Sequence, residues 1–396
     1  MRNDYMGLRV ARWRDIGGMT QQQLADAVGV TREYISMIEN GKRPVTKRSL
    51  LIALARALGV SVDDLTGQPY APESPQELLM YSIASELRQA LDEDEDDALP
   101  VDADVLTATA HRARVARMAC DYATLARLLP ALVMQSRLLA ASDTAQAART
   151  GVSAFVSATT DAAMAIKSHG YVDLAARLAD AAQTAAGSAG EPAEMGAAAF
   201  AAAQCALTGG SRRKSLRLAT EAADALDGAT NDAALTWYGM LHLHAALSAA
   251  TLGHAGDVAP HLAEADATAT RVSTDPWLQE LTPTNVGIWR VAIALENGES
   301  DHAPQYARQV DPGRIRGVHR RATLHIDCGR GLYAAGKRDA AVQQFLHADE
   351  LAPQKVRTRP WVLELVGQLV RDARGGSEEL RELAARCRID PLNEPA

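Results

Sequence analysis

Aromatic side chains are scarce. Phe, Tyr and Trp together supply 17 of the 396 residues, too few for the branched and aromatic core that a β-rich fold requires. Only four cysteines occur, Cys120, Cys205, Cys328 and Cys387, far apart and with no C-x-x-C pair, which argues against a disulfide scaffold or a zinc ribbon. No apolar run is long enough to span a membrane. Met1-Arg2-Asn3-Asp4 lacks the apolar stretch of a secretory signal, so a cytoplasmic, nucleoid-associated protein with no membrane partner is expected. Also missing are H-E-x-x-H, G-x-S-x-G, a Walker loop and a G-x-G-x-x-G after a strand. The nearest metal-like grouping is His319, His325 and Cys328, with His242-Leu243-His244 elsewhere. It has no carboxylate partner and reads as packing, so no metal, no cofactor and no catalysis are expected.

Alanine, in contrast, occurs 77 times. With few aromatics, that excess favours closely packed helices and an all-α fold. Arginine outnumbers lysine 35 to 6, which together with the alanine fits a GC-rich genome. The net charge of −8 hides an asymmetry: residues 1–70 hold ten Lys/Arg against seven Asp/Glu, whereas the remainder holds 31 against 42. Only the first seventy residues make duplex binding electrostatically easy.

Residues 6–16 carry Leu8, Val10 and Trp13 on a helical stripe, which places Trp13 in a core, and Gly17-Gly18 stops that helix. Thr20 caps a second helix over 21–28, ended by Gly29, and Thr31 caps a third over 32–39, ended by Asn40-Gly41. Two further helices are expected at about 46–58 and 61–66. Within 20–41, Ala25 is small where two backbones must approach, Gly29 suits a positive-φ turn, and Val30, Ile35 and Ile38 point inward.

The run Met19-Thr20-Gln21-Gln22-Gln23-Leu24-Ala25, Gly29-Val30-Thr31, Ile35-Ser36 and Ile38-Glu39-Asn40-Gly41-Lys42-Arg43-Pro44 resembles the phage-repressor and Cro-like (XRE-type) helix-turn-helix family over residues 6–67. That resemblance implies a five-helix DNA-binding domain. It places Arg32, Glu33, Tyr34 and Ser36 in the major groove and Asn40, Lys42 and Arg43 on phosphates. Gln21 and Thr31 would touch phosphates or brace the recognition residues, with Gln22 in the same DNA-facing set. Arg32 suits a bidentate guanine contact. Glu33 either accepts from cytosine N4, orients Arg32, or merely answers the helix dipole. Arg14 and Glu39 fall where the family places a structural ion pair.

A linker is expected at 68–76, rich in proline, and then a helix over 76–91 and an acidic run, 92–97, read as a solvated loop. A DNA-mimicking role for that run has no support in the sequence. Farther on, Gly329, Leu332, Ala341, Phe345, Ala348 and Pro353 follow intervals of 3, 9, 4, 3 and 5, which resemble a tetratricopeptide unit. Weaker copies of its second helix begin at Ala175, Ser215, Ala259 and Ala303, so that successive starts, ending at Ala341, are 40, 44, 44 and 38 residues apart. The resemblance implies a helical-repeat superhelix over 77–388 with a frayed tail at 389–396, an irregular helical bundle being the alternative.

In such units the first helices line a groove. The family's groove positions include His244, Ser248, Thr251, Asn285, Ile288, Arg330 and Tyr333. Trp237, Tyr238, Trp277 and Trp289 gather in the same region, either as core filling or as an aromatic-walled pocket. Arg314, Arg316, His319, Arg320 and Arg321 form a basic cluster that fits a second DNA contact, an anion site or, by default, a solvated face. The layout is similar to peptide-responsive quorum-sensing regulators and closer in composition to actinobacterial ones. It implies a homodimer on a palindromic DNA operator, controlled by a peptide or small-molecule effector. The competing expectation is a DNA-anchored scaffold whose groove recruits a protein.

Overall fold

The computed structural model describes residues 5–72, 74–92, 102–273, 281–373 and 377–389. Among them are 21 α-helices, two short 3-10 turns and no strand. The first five helices are α1 (Met6–Ile16), α2 (Gln21–Val28), α3 (Arg32–Glu39), α4 (Arg48–Leu58) and α5 (Val62–Thr66). Their boundaries follow from local chemistry. The Thr20 hydroxyl accepts from the Gln23 amide while the Gln23 side chain reaches back to the Thr20 N–H, closing a capping box. Gly29 then takes φ +73°, a left-handed conformation that a side chain disfavours. Met6, Val10, Leu24, Ala25, Ile35, Ile38, Leu54 and Leu65 meet in one small core, with Trp13 packed against it.

The body comprises α6 (Pro75–Asp92), α7 (Ala103–Met118), α8 (Tyr122–Ala140), α9 (Ala145–Ile166), α10 (Val172–Ala189), α11 (Pro192–Thr208), α12 (Arg212–Ala225) and α13 (Asp232–Leu252). It continues with α14 (Ala255–Ala269), α15 (Pro283–Glu296), α16 (Ala303–Gln309), α17 (Val318–Ala334), α18 (Arg338–Leu351), α19 (Pro353–Arg357), α20 (Pro360–Asp372) and α21 (Glu378–Arg386). The segments beginning at Ala175, Ser215, Ala259, Ala303 and Ala341 fall on α10, α12, α14, α16 and α18, the second helix of each hairpin. Each of the first helices α9, α11, α13, α15 and α17 touches the next in that series. This is the stacking expected of a helical-repeat array.

The stack also curls round to meet itself. Helix α7 contacts α17, with His319 Nδ1 3.2 Å from the Met118 carbonyl. Cys120, Ala322 and Ala352 share a small buried cluster, and Arg388 pairs with Glu77 at 3.0 Å. Helix α6 starts at Pro75, one residue earlier than expected. Gln68, in the expected linker, donates to the carbonyls of Thr358 at 2.9 Å and Ser168 at 3.3 Å, so this stretch is anchored rather than a free spacer. Of the acidic run, Asp92 ends α6 and pairs with Arg177, whereas 93–97 lie outside the described residues. Trp277 and tail residues 390–396 lie outside them too. Ile389, expected in the frayed tail, instead packs against the C-terminal core.

Burial holds three imidazoles neutral. His244 is lowered to about 3 and His169 is lowered as well. His319 falls well below the ordinary value, through burial first and then the nearby Lys355, Arg117 and Arg320. Each gains a proton on unfolding once the pH is below about 6.5, so stability is complete above that value and is lost as pH falls towards the folded values. The loss is up to roughly 1.4 kcal/mol per histidine per pH unit. Thermal melts between pH 7.5 and 5 should show a falling Tm, and His244→Gln should flatten the slope. An unchanged slope in that variant would exclude His244 as a contributor.

Candidate functional site

The α2–α3 pair presents one polar face to solvent. Gln22, Thr31, Arg32, Glu33, Asn40, Lys42 and Arg43 are exposed, with Gln21, Tyr34 and Ser36 partly so. The Thr31 hydroxyl accepts from the Tyr34 amide at 3.2 Å, fixing the start of α3, and the Arg43 guanidinium lies 4.4 Å from the Tyr34 ring centre. Asn40 donates to the Ser36 carbonyl at 2.8 Å, and Gln22 to Asp26 at 2.8 Å. Behind this face, Glu39 is 7% exposed. It accepts from Arg14 Nε at 2.6 Å, Arg14 Nη2 at 3.0 Å and Gln21 Nε2 at 2.8 Å. The hydrogen bond to Glu39 raises the Arg14 pKa. Gln21 therefore joins the Arg14–Glu39 pair behind the exposed face. Glu33 makes no ion pair with Arg32 and sits in the first turn of α3, where the helix dipole favours negative charge.

The opposite side of the domain is docked on the body. Glu296, at the end of α15, accepts from the Arg48 backbone amide at 3.0 Å and the Arg48 guanidinium at 3.2 Å. Arg330 bonds Glu296 at 3.1 Å, Asp327 at 3.1 Å and the Thr46 carbonyl at 2.8 Å. Arg371 donates to the Gly41 carbonyl at 3.0 Å and lies 4.8 Å from the Tyr5 ring centre, and Glu364 accepts from the Met6 amide. Arg330, expected to line a groove, is consumed by this docking. Tyr333 packs against the C-terminal core.

Beneath the docked domain lies a cavity of about 280 Å³. Leu51 and Ile52 of α4 and Val62, Asp63 and Thr66 of α5 form one wall. Inner helices and the turns between helices form the rest, contributing apolar groups such as Met164, Phe200, Met240 and Ile288. Asn285, Ile288 and Trp289 of the expected groove residues line this cavity; Trp237, His244 and Ser248 do not. Trp237 packs on Phe200, with ring centres 5.6 Å apart. Ser215 Oγ donates to the Ala203 carbonyl at 2.8 Å and meets His244 Nε2 at 2.8 Å and Ser248 Oγ at 2.9 Å. Ser215 Oγ is thus the hub of a buried polar network with these three neighbours, while His244 Nδ1 has no hydrogen-bond partner. These polar groups tie α11, α12 and α13 together.

The cavity wall also carries Arg48, Arg117, Lys167, Arg314, Arg316, Arg320, Lys355 and Arg359 against only Asp63 and Asp327. Burial, Asp173 and Asp64 raise Asp63 to about 6. The basic cluster at 314–321 is thus not simply a solvated face: Arg314 and Arg316 are exposed, while His319 and Arg320 sit deeper on the wall. Sequence reasoning missed Lys167, Lys355 and Arg359, which arise from distant segments with no shared local motif. Among the described residues no cluster of three metal-ligating side chains occurs. His325 instead meets Gln344 at 2.8 Å. No described helix is long and apolar enough to cross a membrane.

A family model described as helix-turn-helix matches residues 10–65. The control protein C.SmaI of Serratia marcescens is 43% identical over 56 residues, 14% of this chain and 66% of that protein, so the match spans just under two thirds of the relative's length. The crystal structure of ComR from Streptococcus suis aligns over 92% of this chain and 94% of its own, at 13% identity and a TM-score of 0.29. So loose a superposition carries no argument. Motif, helix geometry and family match agree on the N-terminal segment: residues 10–65 are an XRE-type helix-turn-helix domain.

Proposed function

We propose that the chain is a sequence-specific DNA-binding transcriptional regulator whose helical body dimerises and binds a peptide or small-molecule effector. One observation carries this reading. The same small domain turns α2 and α3 outward and lends α4 and α5 to the wall of the cavity. Whatever fills the cavity touches the domain that reads DNA, and it switches the protein by favouring one arrangement of domain and body over another. The name of the matching relative, a control protein, supports a regulatory role. A scaffold that recruits a protein needs an open groove, and the closure of α7 on α17 speaks against one.

A single helix-turn-helix has too small an interface for tight specific binding, so two copies on a palindrome are expected, with half-sites roughly 34 Å or a multiple apart. Arg32→Ala should relax one base position by about 1–3 kcal/mol, whereas Lys42→Ala should weaken all sequences evenly and lower the salt slope by about 1. Gel shifts on the protein's own promoter and on scrambled DNA, at two salt concentrations, check both. Parent-like binding by both variants would remove the site assignment.

A further inference from the structure

We infer that the cavity beneath the docked domain binds a compact organic anion with two or more negative charges, a phosphoryl or polycarboxylate head beside a planar apolar group. This rests on the effector reading above and names the chemistry of that effector.

The protein as a whole is acidic, with net charge −8, yet the cavity wall is strongly cationic. Two of only six lysines in the chain, Lys167 and Lys355, stand on it. Lys167 Nζ donates to the Gln204 side-chain oxygen at 3.2 Å and Lys355 Nζ to the His319 carbonyl at 2.6 Å, both neutral acceptors. The Arg359 guanidinium lies 5.5 Å from the Trp361 ring centre. Among the described residues, none of these three cations pairs with a carboxylate. They also act on one another: burial first, then Arg359, Arg48 and Arg117, lower Lys167 to about 8, and burial with Arg359 and Arg320 lowers Lys355. Asp327 attracts Lys355 and Arg359 from beyond pairing distance, and gathering so many like charges away from water with so few carboxylates is unfavourable. A site that keeps them is complementary to an anion brought from outside.

Two further donors stand on the same wall. Trp289 and Trp361 each carry an indole N–H that is buried and has no hydrogen-bond partner. Their rings offer a flat apolar surface, and Arg320 already lies 5.5 Å from the Trp289 ring centre. Arg314 and Arg316, exposed and lining the same space, draw an anion towards the entrance. A volume of about 280 Å³ lies at the lower end of small-molecule sites, which suits a compact metabolite and excludes a polynucleotide.

The test uses the full chain, with calorimetric titration and thermal melts in pyrophosphate and, separately, citrate at constant ionic strength. One anion per chain should bind saturably and raise Tm by several degrees. A preference for pyrophosphate marks a phosphoryl head, and a preference for citrate marks a polycarboxylate. Lys355→Met combined with Arg359→Met should weaken binding at least tenfold, yet without anion it should melt no lower than the parent, since it removes buried, mutually repelling charge that no paired carboxylate offsets. Arg213→Ala, an exposed control, should bind as the parent does. If the double variant misfolds, Lys167→Met carries the same comparison. No saturable binding of either anion, or a double variant within twofold of the parent, overturns the inference. Promoter binding measured on the same protein separates the two readings. DNA binding without anion binding removes this site alone; anion binding without DNA binding keeps the site and removes the regulator.

Discussion

Glu296→Leu should lower the stability of the docked protein by about 3–5 kcal/mol, the range for breaking a buried ion pair from one side. The Glu296 side chain is 0% exposed and receives three hydrogen bonds, two from Arg48 and one from Arg330. Leucine deletes every acceptor and strands the Arg330 guanidinium, 4% exposed, with Asp327 as its remaining carboxylate. Removing both ends of such an interaction costs far less than removing one. Glu296→Leu combined with Arg330→Leu and Asp327→Leu, which leaves neither Arg330 nor its second carboxylate stranded, should therefore recover at least half of the lost stability. Urea unfolding midpoints give the energies, and limited digestion with a non-specific protease around residues 68–72 reports whether the N-terminal domain has come off the body. An unchanged midpoint and cleavage pattern in the single variant would mean that Glu296 does not hold the two parts together.

This docking marks the limit of what could be seen in the chain beforehand. Thr20, Gly29 and Thr31 act on neighbours within three or four residues, so the bounds of α1, α2 and α3 were legible. The alanine-spaced segments landed on the second helices for the same reason: spacing along one helix is local. By contrast, α13 is buried nearly all round, from Ala234 to Thr251, so no polar face distinguished a groove side from a core side, and His244 and Ser248 went inward to Ser215. Arg330 was placed by its helix position, but its partners Thr46 and Glu296 come from another domain and another repeat. Lys167, Lys355 and Arg359 meet only because the stack curves into a ring, and curvature is the sum of small rotations between repeats.

Gly7→Ala should abolish promoter binding while leaving the body folded. A Cβ at Gly7 would lie 1.9 Å from the Ile38 carbonyl oxygen and 2.7 Å from Cε2 of Tyr5. The carbonyl belongs to the backbone of α3 and cannot swing aside as a side chain would, so α1 must lift. Lifting it pulls Arg14 away from Glu39, now bonded at 2.6 Å, and Tyr5 away from the Glu39 carbonyl, now at 2.7 Å. Overpacking costs roughly 1–3 kcal/mol, and against an immovable backbone atom the upper end applies, a large share of what a five-helix domain holds in reserve. Gly17→Ala is the matched control. Its Cβ would meet nothing nearer than the Trp13 carbonyl at 3.4 Å, and its φ is −75°, so the change should be near neutral or slightly stabilising. Far-UV circular dichroism and gel shifts on the two variants distinguish a close helix crossing from a general intolerance of alanine. Equal DNA binding by both would show that α1 and α3 are not held at that distance.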